Sequence, residues 1–117
     1  MISGVNAAIS GLLGFQKKLE STANNIANLE SDGFKKTKVT LEEGDLQGVN
    51  ARVQRIDDPG PMVLEPTPEG VTLVEKSNVD LTEEIPNLIL SRRFYQANIK
   101  TIQTVDEMLG NLLDIKS

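Results

Sequence analysis

The groups in this chain that could do chemistry are carboxylates, amides and hydroxyls, because its 117 residues include neither histidine nor cysteine. Thiol and imidazole nucleophiles, the usual zinc ligands and the side chain that titrates nearest neutral pH are therefore all missing. Ser3, Ser10, Ser21, Ser31, Ser77, Ser91 and Ser117 have no imidazole to activate them. The acidic residues offer little more. Asp32 to Glu43 has the length and end residues of a calcium loop, but Phe34 and Lys36 stand where oxygen ligands are needed. Glu42, Glu43 and Asp45, and the pair Asp57-Asp58, read as solvated acidic edges. No glycine-rich phosphate loop of the required spacing occurs. No enzyme is expected, and no catalytic residue, metal or cofactor.

The amides are more informative. Asn24, Asn25 and Asn28 crowd five positions. Asparagine is a poor helix former because its side chain competes for backbone groups, so three together are costly unless used. Asn24 and Asn28 lie one turn apart and share a face. They close a helical pattern over residues 3–29, in which Val5, Ile9, Leu12, Leu19 and Ile26 follow a four-three rhythm with Gln16 and Ala23 in the gaps. Phe15, Thr22 and Leu29 widen that face, Ser3 is a good N-cap, and Ser31-Asp32-Gly33 ends the helix. Gly4, Ala7, Gly11 and Gly14 form a second stripe of small residues. It weakens the isolated helix and would let another backbone approach closely.

A second helical pattern fills the other end. Asp80 and Glu83 have capping-box spacing. Leu81, Ile85, Leu88, Tyr95, Ile99, Ile102, Leu109 and Leu113 keep the same rhythm, interrupted by Arg92 and Asp106. Pro86 should kink or delay the first turn. Between the helices, Val39 and Leu41, then Val49, Ala51 and Val53, then Val71 and Leu73 alternate with polar neighbours. Gly44, Gly48, Pro59-Gly60-Pro61, Pro66, Pro68 and Gly70 punctuate them. The predicted organisation is mainly α with a small β region: an N-terminal helix in 1–30, a short loop and β-hairpin segment in 31–77, and a C-terminal helix in 78–117. The two helices, roughly 40–50 Å long, pair as a coiled coil, within one chain or between copies. Two or three short strands are marginal alone and need a helix or a neighbouring molecule to pack on.

Composition agrees with an elongated assembling protein. Phe15, Phe34, Phe94 and Tyr95 are the only aromatics, too few for a compact core of ordinary make-up. The net charge of −5 is uneven, with three basic and eight acidic residues in 41–77 but five basic and three acidic in 1–40. Lys35, Lys36 and Lys38 form the only basic cluster and read as edge protection of a strand, not a nucleic-acid footprint. No apolar run is long enough to span a bilayer, and no positively charged leader precedes one, so export would proceed without a cleaved signal peptide.

Two stretches resemble a known family. Residues 21–35, Ser-Thr-Ala-Asn-Asn-Ile-Ala-Asn-Leu-Glu-Ser-Asp-Gly-Phe-Lys, resemble the N-terminal motif of bacterial flagellar axial proteins, with Ser31 where the family usually has Thr. Residues 77–113, from Ser-Asn-Val-Asp-Leu through Tyr-Gln-Ala-Asn to Asp-Glu-Met-Leu, look like the C-terminal motif of the same family. The gap between the motifs is too short for the folded insertions of hook and distal-rod proteins. Gly48-Val49 followed by Asp57-Asp58-Pro59-Gly60-Pro61 is similar to the middle segment of proximal rod proteins, whereas Pro86 departs from the family pattern.

The resemblance implies a structural subunit of the basal-body rod, in the periplasm, exported through the flagellar type III apparatus and polymerised helically. Its terminal helices would form an inner coiled-coil layer and transmit torque. Its partners would be further copies, other rod and hook axial proteins and the export apparatus, with no nucleic acid, membrane insertion or small-molecule substrate. The resemblance assigns subunit packing to Asn24, Asn25, Asn28, Gly33 and Phe34 at the first junction. At the second it assigns Asn78, Val79, Asp80 and Leu81, and in mid-helix Tyr95, Gln96, Ala97 and Asn98. The stripes themselves add Leu12, Leu19, Ile26, Leu88, Ile102 and Leu109. Gly33 is otherwise an ordinary turn residue, and Tyr95 an ordinary core residue. The competing class is a soluble coiled-coil adaptor or flagellar export chaperone that binds a partner's helix.

Overall fold

A computed structural model of the protein describes residues 2–116. Met1 and Ser117, the outermost residues of the two expected helical segments, lie outside the described residues. Helix α1 spans Ile2–Ala27 and helix α2 spans Leu81–Lys116. Between them come β1 (Thr37–Glu43), β2 (Val49–Arg55), β3 (Met62–Thr67) and β4 (Gly70–Glu75). β1 pairs antiparallel with β2, and β3 with β4, as two separate two-stranded ribbons.

The helices pack antiparallel within one chain. Gly11 faces Asn98, Phe15 stacks on Phe94 with ring centroids 5.2 Å apart, and Asn25 reaches Glu84. At 1.5 Å per residue α1 is about 39 Å long and α2 about 54 Å. The excess leaves the last turns of α2 running past the start of α1, where Met108, Leu109, Leu112, Leu113 and Ile115 are all exposed.

The inward line of α1 lies one residue round from its large apolar stripe, whereas that of α2 keeps the stripe's Leu88, Tyr95 and Ile102. On α1 it runs through Ala8, Gly11, Phe15, Thr22 and Asn25. On α2 it runs through Glu84, Leu88, Ser91, Tyr95, Asn98, Ile102 and Val105. Ile9, Gln16 and Ala23 point outward instead, as does Ile85. Arg92 and Asp106 do not interrupt the seam, because they lie off it. The cause is that α1 is gripped on two sides. One side meets α2. The other meets the β1–β2 ribbon: Leu41 lies where a Gly14 Cβ would stand, at 2.9 Å, and Ser10 Oγ accepts the Val49 N–H at 3.0 Å. The centre of the buried arc therefore falls on small residues. Gly11 and Gly14 admit side chains, Asn98 and Leu41, not another backbone, and Gly4 faces open space.

Three further expectations are corrected. Ser3 lies inside α1 and does not cap it. α2 begins at Leu81 without delay and continues through Pro86, whose missing N–H falls in the second turn. Asp80 caps the helix by accepting the Thr82 N–H at 3.0 Å, but Glu83 does not complete a capping box. It reaches Lys36 at 3.2 Å. β3 carries Pro66 opposite Val71; a two-stranded ribbon has only edges, a setting in which a strand tolerates proline.

The molecule measures 80 × 23 × 20 Å, with a radius of gyration of 20.7 Å. A compact chain of this length would have about 13 Å. Its surface is 8376 Å², against about 6,300 Å² for a compact monomer of this mass.

One loop is closed by backbone approach. Gly60 is buried, and a Cβ there would stand 2.0 Å from the Lys76 carbonyl oxygen. Gly60→Ala must push the two segments apart. We expect a loss of about 2 kcal/mol and a melting temperature lower by roughly 10 °C, measured by far-UV circular dichroism.

Candidate assembly surfaces

The residues that tie the helices to the strands meet at one end of the helix pair. Asn25, 1% exposed, uses both ends of its amide on one residue. Its Oδ1 accepts the Thr37 N–H at 3.0 Å and its Nδ2 donates to the Thr37 carbonyl at 2.8 Å. The same Nδ2 donates to Glu84 Oε1 at 3.1 Å. Thr37 opens β1, so this side chain stands in for a strand partner at the ribbon's first rung. Ser21 adds a hydroxyl contact to Thr37 Oγ1 at 2.6 Å.

Asn78 plays the corresponding part before α2. Its Oδ1 accepts the Lys36 N–H at 2.7 Å, and its Nδ2 donates to the carbonyls of Ile56 and Asp58, both at 2.9 Å. Gly33, at φ +70°, donates its N–H to the Glu75 carbonyl at 2.9 Å. Only a residue at ease in the left-handed region suits that turn. Asn24, Asn28 and Ser31 bond to one another along the exposed end of α1.

Charge is concentrated around this junction. Lys35 pairs with Glu75, and Lys76 with Asp32 and Glu65. The Lys35 ammonium, with the Gly60 N–H, holds the Glu75 carboxyl below its usual range. Hydrogen bonds to Asp32 and Glu65 push the Lys76 ammonium up. Thr82 lowers Asp80 through its hydroxyl and then its N–H. Glu84 is the exception. It is buried, and burial pushes its carboxyl up, against the opposing pull of the Asn25 amide, the Lys36 charge and the Thr22 hydroxyl. A cleft beside it is lined by Lys18, Lys36, Lys38, Glu83 and Asn87. Among the described residues, no three carboxylates gather as a metal site requires. Glu42 pairs with Arg52 at 3.5 Å and Asp57 with Arg55 at 2.8 Å.

The structure brings the expected packing residues into three settings. Asn25 and Val79 are buried inside the subunit. Leu12, Leu19, Ile26, Asn28, Phe34, Asn78, Leu88, Tyr95, Asn98 and Ile102 are half-buried along the seam and junction. Asn24, Gly33, Asp80, Leu81, Gln96, Ala97 and Leu109 face outward. Sequence reasoning missed Glu84, Thr37 and Gly60. For Glu84 the signal was present: with Leu88 and Ser91 it keeps seam spacing, which places a carboxylate among inward positions. Only three hydrophobic residues, Ala8, Val39 and Val79, are buried among those described, while eighteen large ones are exposed.

An elongated helix pair with a nearly empty apolar core defines a subunit built for assembly, and comparison with known proteins agrees. Residues 6–35 match the model of the flagella basal body rod protein family. Residues 72–115 match the C-terminal model of the flagellar basal body rod FlgEFG proteins. The flagellar basal-body rod protein FlgC of Buchnera aphidicola is 30% identical over 128 residues, covering 94% of this chain and 93% of that protein. The flagellar hook protein FlgE of Escherichia coli is 44% identical over 43 residues, 37% of this chain but 11% of the hook protein. The hook protein FlgE of Caulobacter vibrioides is 37% identical over 78 residues, covering 61% of this chain and 13% of its own length. The chain belongs to the flagellar basal-body rod protein family.

The raised carboxyl of Glu84 has a signed consequence. A folded-state acid that holds its proton longer than the unfolded one stabilises the fold at low pH. That contribution is lost as pH rises from the ordinary glutamate range through the folded value. Glu84→Gln removes this loss. We expect its urea-unfolding free energy to gain on wild type between pH 4 and 7.5, with the gap closing at the acid end. Asn25→Ala, which orphans the Thr37 N–H and takes one donor each from the Thr37 carbonyl and Glu84, should cost about 2–4 kcal/mol by the same measurement, more where Glu84 is ionised.

Proposed function

We propose that this chain is a structural subunit of the flagellar basal-body rod that polymerises with further copies and other axial proteins through its helices. The observation that carries the reading is the mismatch between three buried and eighteen exposed hydrophobic residues among those described. A monomer that leaves so much apolar surface in water needs neighbours to cover it. The flanking leucines and isoleucines of α1 and α2, half-exposed beside a small polar seam, are available for lateral packing. The overhanging end of α2 is available for axial packing. Rod stiffness, and with it torque transmission, follows from long helices locked on several sides.

Placement in the periplasm and passage through the type III export apparatus belong to the same reading. A marginal fold favours export, since a chain with little apolar core unfolds at low cost. No catalytic role is proposed. The packing roles of Leu12, Leu19, Ile26, Leu88, Ile102 and Leu109 belong to this proposal, as do those of the outward-facing Asn24, Gln96 and Leu81.

Leu109 separates assembly from folding because nothing in the subunit covers it. Leu109→Asp should leave helicity and melting temperature within error of wild type while abolishing sedimenting particles and, in cells, motility. Leu19→Asp should do the same with some loss of stability. An adaptor or export chaperone would instead form a small closed oligomer that does not grow with concentration. Electron microscopy of concentrated protein distinguishes the two, and motility carried by Leu109→Asp would sink the rod reading.

A further inference from the structure

The charges of α2 are sorted along its length. From Ile85 to Val105 it holds Arg92, Arg93 and Lys100 and no acidic residue. From Asp106 to Ile115 it holds Asp106, Glu107 and Asp114 and no basic one. All six are exposed. A helix that stabilises itself sets opposite charges three or four positions apart. Within 85–115 the nearest opposite charges, Lys100 and Asp106, are six positions apart. Accordingly Arg92, Arg93, Lys100, Asp106 and Glu107 make no ion pair among the described residues.

One offset joins the two groups. Arg92 and Asp106, Arg93 and Glu107, and Lys100 and Asp114 are each 14 positions apart. That offset comes back to within about 40° of the same helix face and corresponds to about 21 Å along the axis. The face is the back of α2, turned from α1. It runs from Ile85 and Ile89 through Gln96 and Gln103 to Gly110, all exposed. A Cβ on Gly110 would meet nothing, so the subunit itself does not ask for a residue that weakens its helix. At the same offset Gly110 stands level with Gln96, where its bare backbone admits a second helix.

The two groups lie on one rigid helix and cannot meet within a chain. Elsewhere Glu42, Asp57, Glu65 and Glu75 already hold lysine or arginine partners. An antiparallel α2 pair centred on Gln103 would join Lys100 to Asp106 and Arg92 to Asp114. It would also set Arg93 against Leu113 and leave Ile85 and Ile89 at or beyond the partner's end. A parallel pair satisfies all three basic residues and covers both isoleucines.

We propose that α2 packs in parallel on α2 of a second copy, displaced by 14 residues, so that Arg92, Arg93 and Lys100 of one meet Asp106, Glu107 and Asp114 of the other. This rests on the assembly reading above and gives it a register. Exposed ion pairs add little affinity but reject wrong alignments, and the apolar flanks supply the adhesion. The contact is heterologous. It leaves the acidic end of one α2 and the basic middle of the other free, so it propagates unless the copies close into a ring.

Arg93→Glu and Glu107→Arg test the register, because only the parallel pair brings these two residues together. Both sites are exposed, and circular dichroism checks that the fold is retained. Each variant alone should raise the concentration at which particles sediment by about tenfold. An equal mixture of the two should assemble within about twofold of wild type, because alternating copies join glutamate to arginine at every contact. The chain has no native cysteine, so Ile89→Cys and Gln103→Cys report direction. Mild oxidation of mixed particles should give mainly the heterodimer of these two variants. Gln103→Cys linked chiefly to itself means an antiparallel pair and overturns the proposal. So do particles that tolerate both charge reversals, or reversals that the mixture does not rescue; these outcomes leave the rod reading standing. Wild-type protein that never sediments overturns both.

Discussion

One buried amide holds the subunit's architecture in register. Asn25 bonds both backbone groups of Thr37 and the carboxylate of Glu84. Thr37 is the first residue of β1 and Glu84 lies in the first turn of α2. A single side chain on α1 therefore fixes where the ribbon starts and where the second helix aligns. Removing it would leave the Thr37 N–H unpaired in a water-poor setting and take a donor from both the Thr37 carbonyl and Glu84, the costly case for a hydrogen bond. Asn78 closes the return path, bonding one segment before β1 and one after β2. The crowded asparagines at the end of α1 are thus a joint, and their poor helix propensity suits a place where the helix must stop.

The seam beyond that joint is held by fit, with little hydrophobic drive. Gly11 admits Asn98, Gly14 admits Leu41, and Phe15 stacks on Phe94. Small and polar residues align the two helices closely but remove little apolar surface from water. The large side chains stand to either side. α1 and α2 consequently pair in a defined register while leaving their most adhesive surface outside the pair. The buried Glu84 fits the same pattern, since a carboxylate in the seam costs stability that a leucine would supply.

Much of this was legible in the sequence, and the gaps have physical causes. Both helices followed from periodicity, and the turn at Gly33 from its residue types. Periodicity locates an apolar arc, however, and not which part of it meets which neighbour. With α2 on one side of α1 and a ribbon on the other, the arc's centre shifted from Leu12 and Leu19 to Gly11, Thr22 and Asn25. β3 was hidden by Pro66, which argues against a strand unless the strand is known to be an edge. Gly60 was readable as a turn residue, but the carbonyl of Lys76 that demands it comes from sixteen residues later in the chain. Asn25 announced itself by cost alone: an amide in a helix needs a use, and only the fold reveals that the use is Thr37.

The distribution of apolar residues sets how much free energy is withheld until neighbours arrive. Full burial of one Leu, Ile or Val side chain is worth about 1.5–3 kcal/mol. Covering even a third of the eighteen exposed large hydrophobics releases on the order of 10 kcal/mol. That matches the whole folding stability of an ordinary domain, and much of it is offset by the lost freedom of the associating copies. Repacking the seam with leucine would move this energy into the monomer. The helices would then hold together better alone and have less to gain from a neighbour. Glycine and asparagine on the inner line, with leucine and isoleucine beside it, are therefore one arrangement with two effects: a subunit that is easily unfolded in isolation, and firmly held once its flanks and both ends are covered.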